Sequence, residues 1–115
     1  MLILPGGLPG ADHLDNDPRI QALLKEMAEQ KKYTAAICAA PKVLVSSGVL
    51  ENKKATAYPG VLEALGITAE ADAVVQDGKV ITSRGPGTAM DFALELIEIL
   101  VSKAKRDEVE AGLVR

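Results

Sequence analysis

Apolar positions in this chain switch between short unbroken runs and helical spacing. Met1-Leu2-Ile3-Leu4 is a continuous run stopped by Pro5-Gly6-Gly7, the pattern of a buried strand feeding a turn. Asp17-Pro18 then opens a helix, with Asp17 suited to the N-cap and Pro18 to the first helical position. Ile20, Leu23, Leu24 and Met27 follow at i, i+3, i+4 and i+7. Lys25, Glu26, Glu29, Gln30, Lys31 and Lys32 cover the remaining surface, so an amphipathic helix with a solvated charged face is predicted. Tyr33-Thr34-Ala35-Ala36-Ile37 returns to an unbroken run and ends at Cys38. Ala39, Ala40 and Pro41 come next, and Val43, Leu44 and Val45 predict a short helix closing near Ser46-Ser47-Gly48.

The second half continues the alternation. Ala55-Thr56-Ala57-Tyr58 reads as a weak strand broken by Pro59-Gly60, and residues 62–65 as a helical turn closed by Gly66. Ala73-Val74-Val75-Gln76 and Lys79-Val80-Ile81-Thr82 flank Asp77-Gly78, which predicts a hairpin turning on that pair. A glycine-proline loop over residues 83–88 leads into a helix expected to run to about Lys103. Its wide apolar face carries Ala89, Phe92, Ala93, Leu96, Ile97 and Leu100, with Asp91, Glu95 and Glu98 polar. A last turn or two with Val109 and Leu113 is expected on the same surface. Strands alternating with helices predict an α/β layered fold with a mainly parallel sheet. The strand ends carrying Gly6-Gly7, Cys38 and Tyr58 would then converge on one sheet edge, where open α/β folds place their sites.

Composition narrows the picture. The 115 residues fit one domain, 1–115, and at 48% apolar but 3% aromatic its core must be built from Val, Ile, Leu and Ala. The net charge of −3 and the lack of basic-aromatic interleaving argue against nucleic acid as the main partner. A single cysteine cannot form an internal disulfide, and no apolar run reaches the ~18 residues of a membrane helix. Met1 leads into the apolar run with no basic segment, unlike a signal peptide, so a cytoplasmic location is expected.

Candidate chemistry centres on Cys38. A chain leaving a strand and bending straight into a helix makes a tight elbow, and a thiol there is either reactive or a small packed hydrophobe. Gly6, Gly7 and Gly10 form either a ligand-facing loop of backbone N–H groups or a plain turn. Their spacing matches neither a dinucleotide fingerprint nor a P-loop. His13 is the only histidine, and no second His or Cys accompanies it, so no metal site is expected.

Three segments carry a family resemblance: Leu2-Ile3-Leu4-Pro5-Gly6-Gly7-Leu8-Pro9-Gly10-Ala11, then Ala35-Ala36-Ile37-Cys38-Ala39-Ala40-Pro41, then Thr82-Ser83-Arg84-Gly85-Pro86-Gly87-Thr88-Ala89-Met90-Asp91-Phe92-Ala93. In this order and spacing the chain resembles the ThiJ/PfpI superfamily, in the branch of the parkinsonism-associated protein deglycase. The resemblance implies a flavodoxin-like three-layer sandwich, usually a homodimer, working without a cofactor. It implies Cys38 as the reactive cysteine, with the backbone N–H groups of Gly7 and Ala39 beside the sulfur. Gly6, Pro41, Tyr58, Arg84, Gly85 and Pro86 would shape the site, Arg84 through structural hydrogen bonds. Tyr58 stands where several relatives have a histidine, and His13 does not match that position. A protease is therefore the poorest fit, since a triad needs a base beside the thiol.

The implied activity is glyoxalase or deglycase-type hydrolysis of small dicarbonyls or early glycation adducts. The alternative it implies is an oxidative-stress sensor or chaperone-like protein signalling through oxidation of Cys38. Family proteins carry a segment ahead of the Leu-Pro-Gly-Gly strand, with central strands and a glutamate that holds the thiolate. Glu26, Glu29, Glu51 and Glu63 do not match that glutamate. The chain is accordingly expected to be the carboxyl-terminal portion of the domain, a sandwich incomplete at the N-terminus. By itself it is expected to be weak or inactive and marginally stable, or to pair with a copy of itself or a complementary chain.

Overall fold

Side chains alternate across a strand, and one strand here divides its neighbours between two cores. A computed structural model describes residues 1–115. Its elements are β1 (Leu2–Leu4), α1 (Gly10–Asp15), α2 (Pro18–Glu29), β2 (Thr34–Ile37) and α3 (Pro41–Ser46), followed by β3 (Val74–Asp77), β4 (Val80–Ser83), α4 (Ala89–Leu100) and α5 (Lys103–Leu113). Single 3₁₀ turns lie at Glu63–Leu65 and Pro86–Thr88. The sheet order is β1-β2-β4-β3. β2 runs parallel to β1 on one side and to β4 on the other, and β3 pairs antiparallel with β4. The sheet is thus mainly parallel, as expected.

On β2, Ala36 joins the larger core and Ala35 the smaller one. The larger core packs Leu4, Leu24, Val43, Leu44, Leu62 and Val80, which brings α2 and α3 onto one face. The smaller core packs Ile81 with Phe92 and Leu96 of α4 on the other face. Helices therefore cover both faces in three layers, the arrangement of a flavodoxin-like sandwich. Burying a leucine such as Leu24 or Leu44 completely contributes about 2–3 kcal/mol. No helix is long and apolar enough to cross a membrane.

β1 lies at the sheet edge, and Ile3, opposite Ala35, is 47% exposed. Met1 falls outside the strand. The residues after Gly10 form α1, where the sequence pattern suggested only a loop. Ala11 is fully buried, and the Asp12 carboxylate pairs with Lys42 of α3, so tertiary contacts hold a helix too short to announce itself. Ala55-Thr56-Ala57-Tyr58 is not a strand and pairs with no strand of the sheet. The segment is held by scattered bonds instead: Thr56 N–H donates to Thr82 Oγ1 (2.9 Å) and Glu70 N–H to Ala55 O (2.8 Å). The hairpin forms with Asp77 opposite Val80, so its turn residues are Gly78-Lys79, one position later than expected.

The helix expected to run to about Lys103 is α4, and the last turn or two expected after it is a full helix, α5. α4 stops at Leu100, and Ser102 caps α5 by accepting from Lys105 N–H (3.0 Å). α5 folds back on α4, where Arg106 bonds both Glu95 (3.2 Å) and Glu98 (3.1 Å). Val109 and Leu113 remain partly exposed, so the expected apolar packing there gives way to charge pairing.

The cap of α2 is as predicted. Asp17 Oδ1 accepts from Arg19 N–H (2.9 Å), and its carboxylate also pairs with the Arg19 guanidinium (2.8 Å). The Arg19 side-chain bonds, helped by the backbone N–H, hold the Asp17 carboxyl at about 2 against an ordinary 3.8. A folded-state value below the unfolded one means that the cap's contribution is present above about pH 4 and is lost as pH falls through about 2. Carboxyl NMR is expected to find the Asp17 midpoint near 2, moving upward in Arg19→Ala. A midpoint near 4 in the parent chain would contradict the pairing.

Candidate active site

Three strand ends meet at one edge of the sheet, and Cys38 is the middle one. It follows β2 directly and takes φ +64°, the left-handed region. A non-glycine residue held there costs about 1–3 kcal/mol, so the surroundings must fix it. Two backbone bonds do so. Cys38 N–H donates to Ser83 O (3.0 Å), and Cys38 O accepts from Tyr58 N–H (2.9 Å). Ala40 N–H then donates to Ile37 O (3.1 Å), and Pro41 begins α3. Ala39, Ala40 and Pro41 are buried, which keeps the elbow tight. Cys38 is a partly exposed free thiol.

Gly6 closes the β1 side. A Cβ on it would lie 2.6 Å from Cys38 Cβ and 2.8 Å from Ile37 O, so the β1 backbone passes against the elbow at a distance only glycine permits. Gly7 follows at φ +85°, and its carbonyl accepts from Ala11 N–H (2.9 Å) to start α1. The N–H groups of Gly7 and Ala39 donate to no acceptor within the chain. Unclaimed backbone donors near a thiol are the arrangement that can receive a developing oxyanion.

The loop after β4 closes the other side. Ser83 Oγ donates to Ala73 O (2.8 Å) and meets Thr88 Oγ1 (2.7 Å), while Gly85 N–H donates to Thr88 Oγ1 (3.1 Å). The Tyr58 ring lies beside Gly85, 3.5 Å from where a Cβ would sit, and is 51% exposed. Pro86 opens the 3₁₀ turn. Arg84 faces elsewhere: its N–H donates to Ala73 O (3.1 Å) and its guanidinium to Ala71 O (3.4 Å).

The structure thus gathers Gly6, Gly7, Cys38, Ala39, Pro41, Tyr58 and Gly85 around one elbow and leaves Arg84 in a bracing role. His13 is exposed on α1. Glu63 accepts from Gly60 N–H (3.0 Å) and belongs to its own loop. Ser83 and Thr88 emerge as the braces of the β4 side. A Ser and a Thr flanking a Gly-Pro turn are the available signal, since both residue types bond nearby backbone. The three cavities of the chain are lined by other residues than Cys38, so the elbow is an open surface feature.

Residues 1–99 match the DJ-1/PfpI family. The chain belongs to the DJ-1/PfpI family. Among DJ-1/PfpI relatives, Protein DJ-1 homolog A of Arabidopsis thaliana is 42% identical over 118 residues, which covers 99% of this chain and 30% of that protein. The crystal structure of Drosophila melanogaster DJ-1beta matches with a TM-score of 0.91 at 42% identity, covering 97% of this chain and 62% of that one. Toxoplasma gondii DJ-1, solved in oxidized form, matches with a TM-score of 0.88 at 37% identity, covering 95% and 60%. The chain therefore spans less than two thirds of each of these DJ-1 relatives. The family and fold agree with what the three motif segments implied.

Proposed function

We propose that, in the complete protein, Cys38 is the nucleophile of a cofactor-independent glyoxalase or deglycase-type reaction on small dicarbonyls or early glycation adducts. The observation that carries this reading is the left-handed Cys38, held between strand ends beside two unclaimed amides. A buried, purely structural cysteine has no need of a strained elbow. In the reaction the thiolate attacks an aldehyde carbon, forming a C–S bond and an alkoxide that the Gly7 and Ala39 amides receive. Protonation gives the hemithioacetal. The former aldehyde C–H is then lost as a proton and one is gained at the neighbouring carbon, leaving a thioester of a 2-hydroxy acid. Water cleaves the C–S bond, releasing the acid and restoring the thiol. The balance is dicarbonyl plus water to hydroxy acid, with no outside oxidant.

A second reading is oxidative sensing, favoured by the oxidized form in which the Toxoplasma relative was solved. The same two amides would stabilise a sulfinate, whose charge sits where the alkoxide would form. Association with a copy of itself or a complementary chain is also proposed, because the outer edge of β1 is an unpaired sheet edge bearing Ile3.

Conversion of methylglyoxal to lactate by the full-length protein and by its Cys38→Ser variant tests the first reading. At least a hundredfold slower conversion by the variant is expected, roughly the loss that follows removal of an activated nucleophile. Equal rates, or no lactate from the parent, sink the glyoxalase reading. Mass spectrometry after mild peroxide then decides the second: two oxygen atoms gained at Cys38 support sensing, and an unmodified thiol removes it.

A further inference from the structure

A second polar feature lies at the opposite ends of the strands. Thr34 opens β2 and Cys38 follows its last residue, a separation of about 13 Å at ~3.3 Å per residue. α2 ends in a capped turn in which Lys31 takes φ +56° and the N–H groups of Lys31 and Lys32 donate to Ala28 O (3.1 Å) and Met27 O (2.9 Å). The motif satisfies the last helix carbonyls and delivers both lysines to the start of β2. Lys53 approaches after α3, and Lys79 from the hairpin turn. These four lysines border a cavity of about 260 Å³ that is also lined by Thr34. No carboxylate lines it, and none of the four lysines is in an ion pair. Asp77, on the adjoining hairpin, is taken by Lys54 N–H (2.7 Å). Thr34 is 1% exposed, and its hydroxyl oxygen has no partner in the chain.

In a chain of net charge −3, four lysines around one concavity, none in an ion pair and Lys79 with its Nζ 4.1 Å from the centroid of the Tyr33 ring, make a local field that draws in anions. Lysine offers donors only, and the threonine hydroxyl can donate as well, which suits a phosphate better than any cation or neutral polar group. Lys53 also walls a neighbouring cavity of about 600 Å³, where Val45, Leu50 and Ile67 form an apolar side and Glu51, Asn52 and Lys54 a polar one. That cavity gives an apolar body somewhere to rest beside the phosphate.

We infer that this end of the sheet binds a small phosphomonoester, its phosphate among Lys31, Lys32, Lys53 and Lys79 and its organic part toward Leu50 and Ile67. The test is an amide NMR titration of the ¹⁵N-labelled chain with phenyl phosphate, inorganic phosphate and sodium chloride at matched ionic strength. Saturable shifts at Thr34, Lys53 and Lys79 are expected with phenyl phosphate, weakened about tenfold in Lys53→Gln and in Lys79→Gln with the rest of the spectrum unchanged. Inorganic phosphate binding the same residues more weakly supports a phosphomonoester, whereas equal binding overturns the role of the apolar wall. Shifts no larger than those with chloride overturn the site itself. So do shifts confined to the Cys38 loop, or tighter binding of a single-stranded oligonucleotide than of phenyl phosphate.

Discussion

Cys38→Gly is expected to leave the fold as stable as before while abolishing thiol chemistry. At φ +64° an L side chain costs about 1–2 kcal/mol that glycine does not. Against this, glycine gives up about 0.5–1 kcal/mol of chain entropy on folding. The thiol is already partly exposed, so removing it leaves little unfilled core. The balance lies near zero or slightly in favour of the variant, a melting shift of roughly 0 to +5 °C. In the full-length protein methylglyoxal conversion should meanwhile fall about a thousandfold, because no other side chain at the elbow is a nucleophile of comparable strength. Thermal melting and the lactate assay on one preparation check both halves. A melting drop beyond about 5 °C with unchanged conversion would identify Cys38 as packing only. The two readings that the sequence left open at this residue therefore predict opposite pairs of outcomes.

Features whose cause is local were readable in advance. Asp17-Pro18 caps α2 through groups two residues apart, and the Tyr33-to-Ile37 run forms β2 because no charge, glycine or proline interrupts it. Features decided by distant partners were not. The left-handed backbone of Cys38 has no sign in Ile37-Cys38-Ala39. It is imposed by Ser83 and Tyr58, which lie 45 and 20 residues further along. The segment at Ala55 has strand-forming spacing, but its bonds go to Thr82 Oγ1 and Glu70, 26 and 15 residues further along, in place of a strand partner. Leu94 is a related case, outside the apolar stripe that the spacing of α4 predicts. It is buried at 2%, although it lies off the sheet-facing stripe of α4, and α5 covers the other side of that helix. The basic end of the sheet was hidden most completely. Lys31-Lys32 read as part of a solvated helix face and Lys79 as the start of a hairpin strand, and only the parallel register and the hairpin turn bring them round one cavity with Lys53.

Gly6→Ala is expected to be the most damaging small substitution in the chain. The added methyl would meet Cys38 Cβ at 2.6 Å and Ile37 O at 2.8 Å. The second contact is backbone, fixed by the bond from Ala40 N–H, so no rotamer change relieves it. β1 has to shift, and it is a three-residue edge strand bonded to β2 alone. A destabilisation of about 3 kcal/mol follows from overpacking of this kind, or roughly 12 °C in melting temperature. The neighbouring glycines provide the scale. Gly7→Ala meets no atom within 4 Å but must hold φ +85°, which costs about 1–2 kcal/mol. Gly10→Ala has open space and opens α1, where alanine is the better helix former, and it should be neutral or slightly stabilising. The expected order of melting temperatures is therefore Gly10→Ala highest, then Gly7→Ala, then Gly6→Ala. Iodoacetamide labelling of Cys38 in the folded variants separates stability from site geometry. Gly6→Ala should change the labelling rate severalfold, because the same displacement moves the chain segment that carries the Gly7 amide, whereas Gly10→Ala should not. Equal melting and labelling for Gly6→Ala and Gly10→Ala would mean that β1 does not press against the elbow, and the oxyanion site proposed between Gly7 and Ala39 would lose its frame.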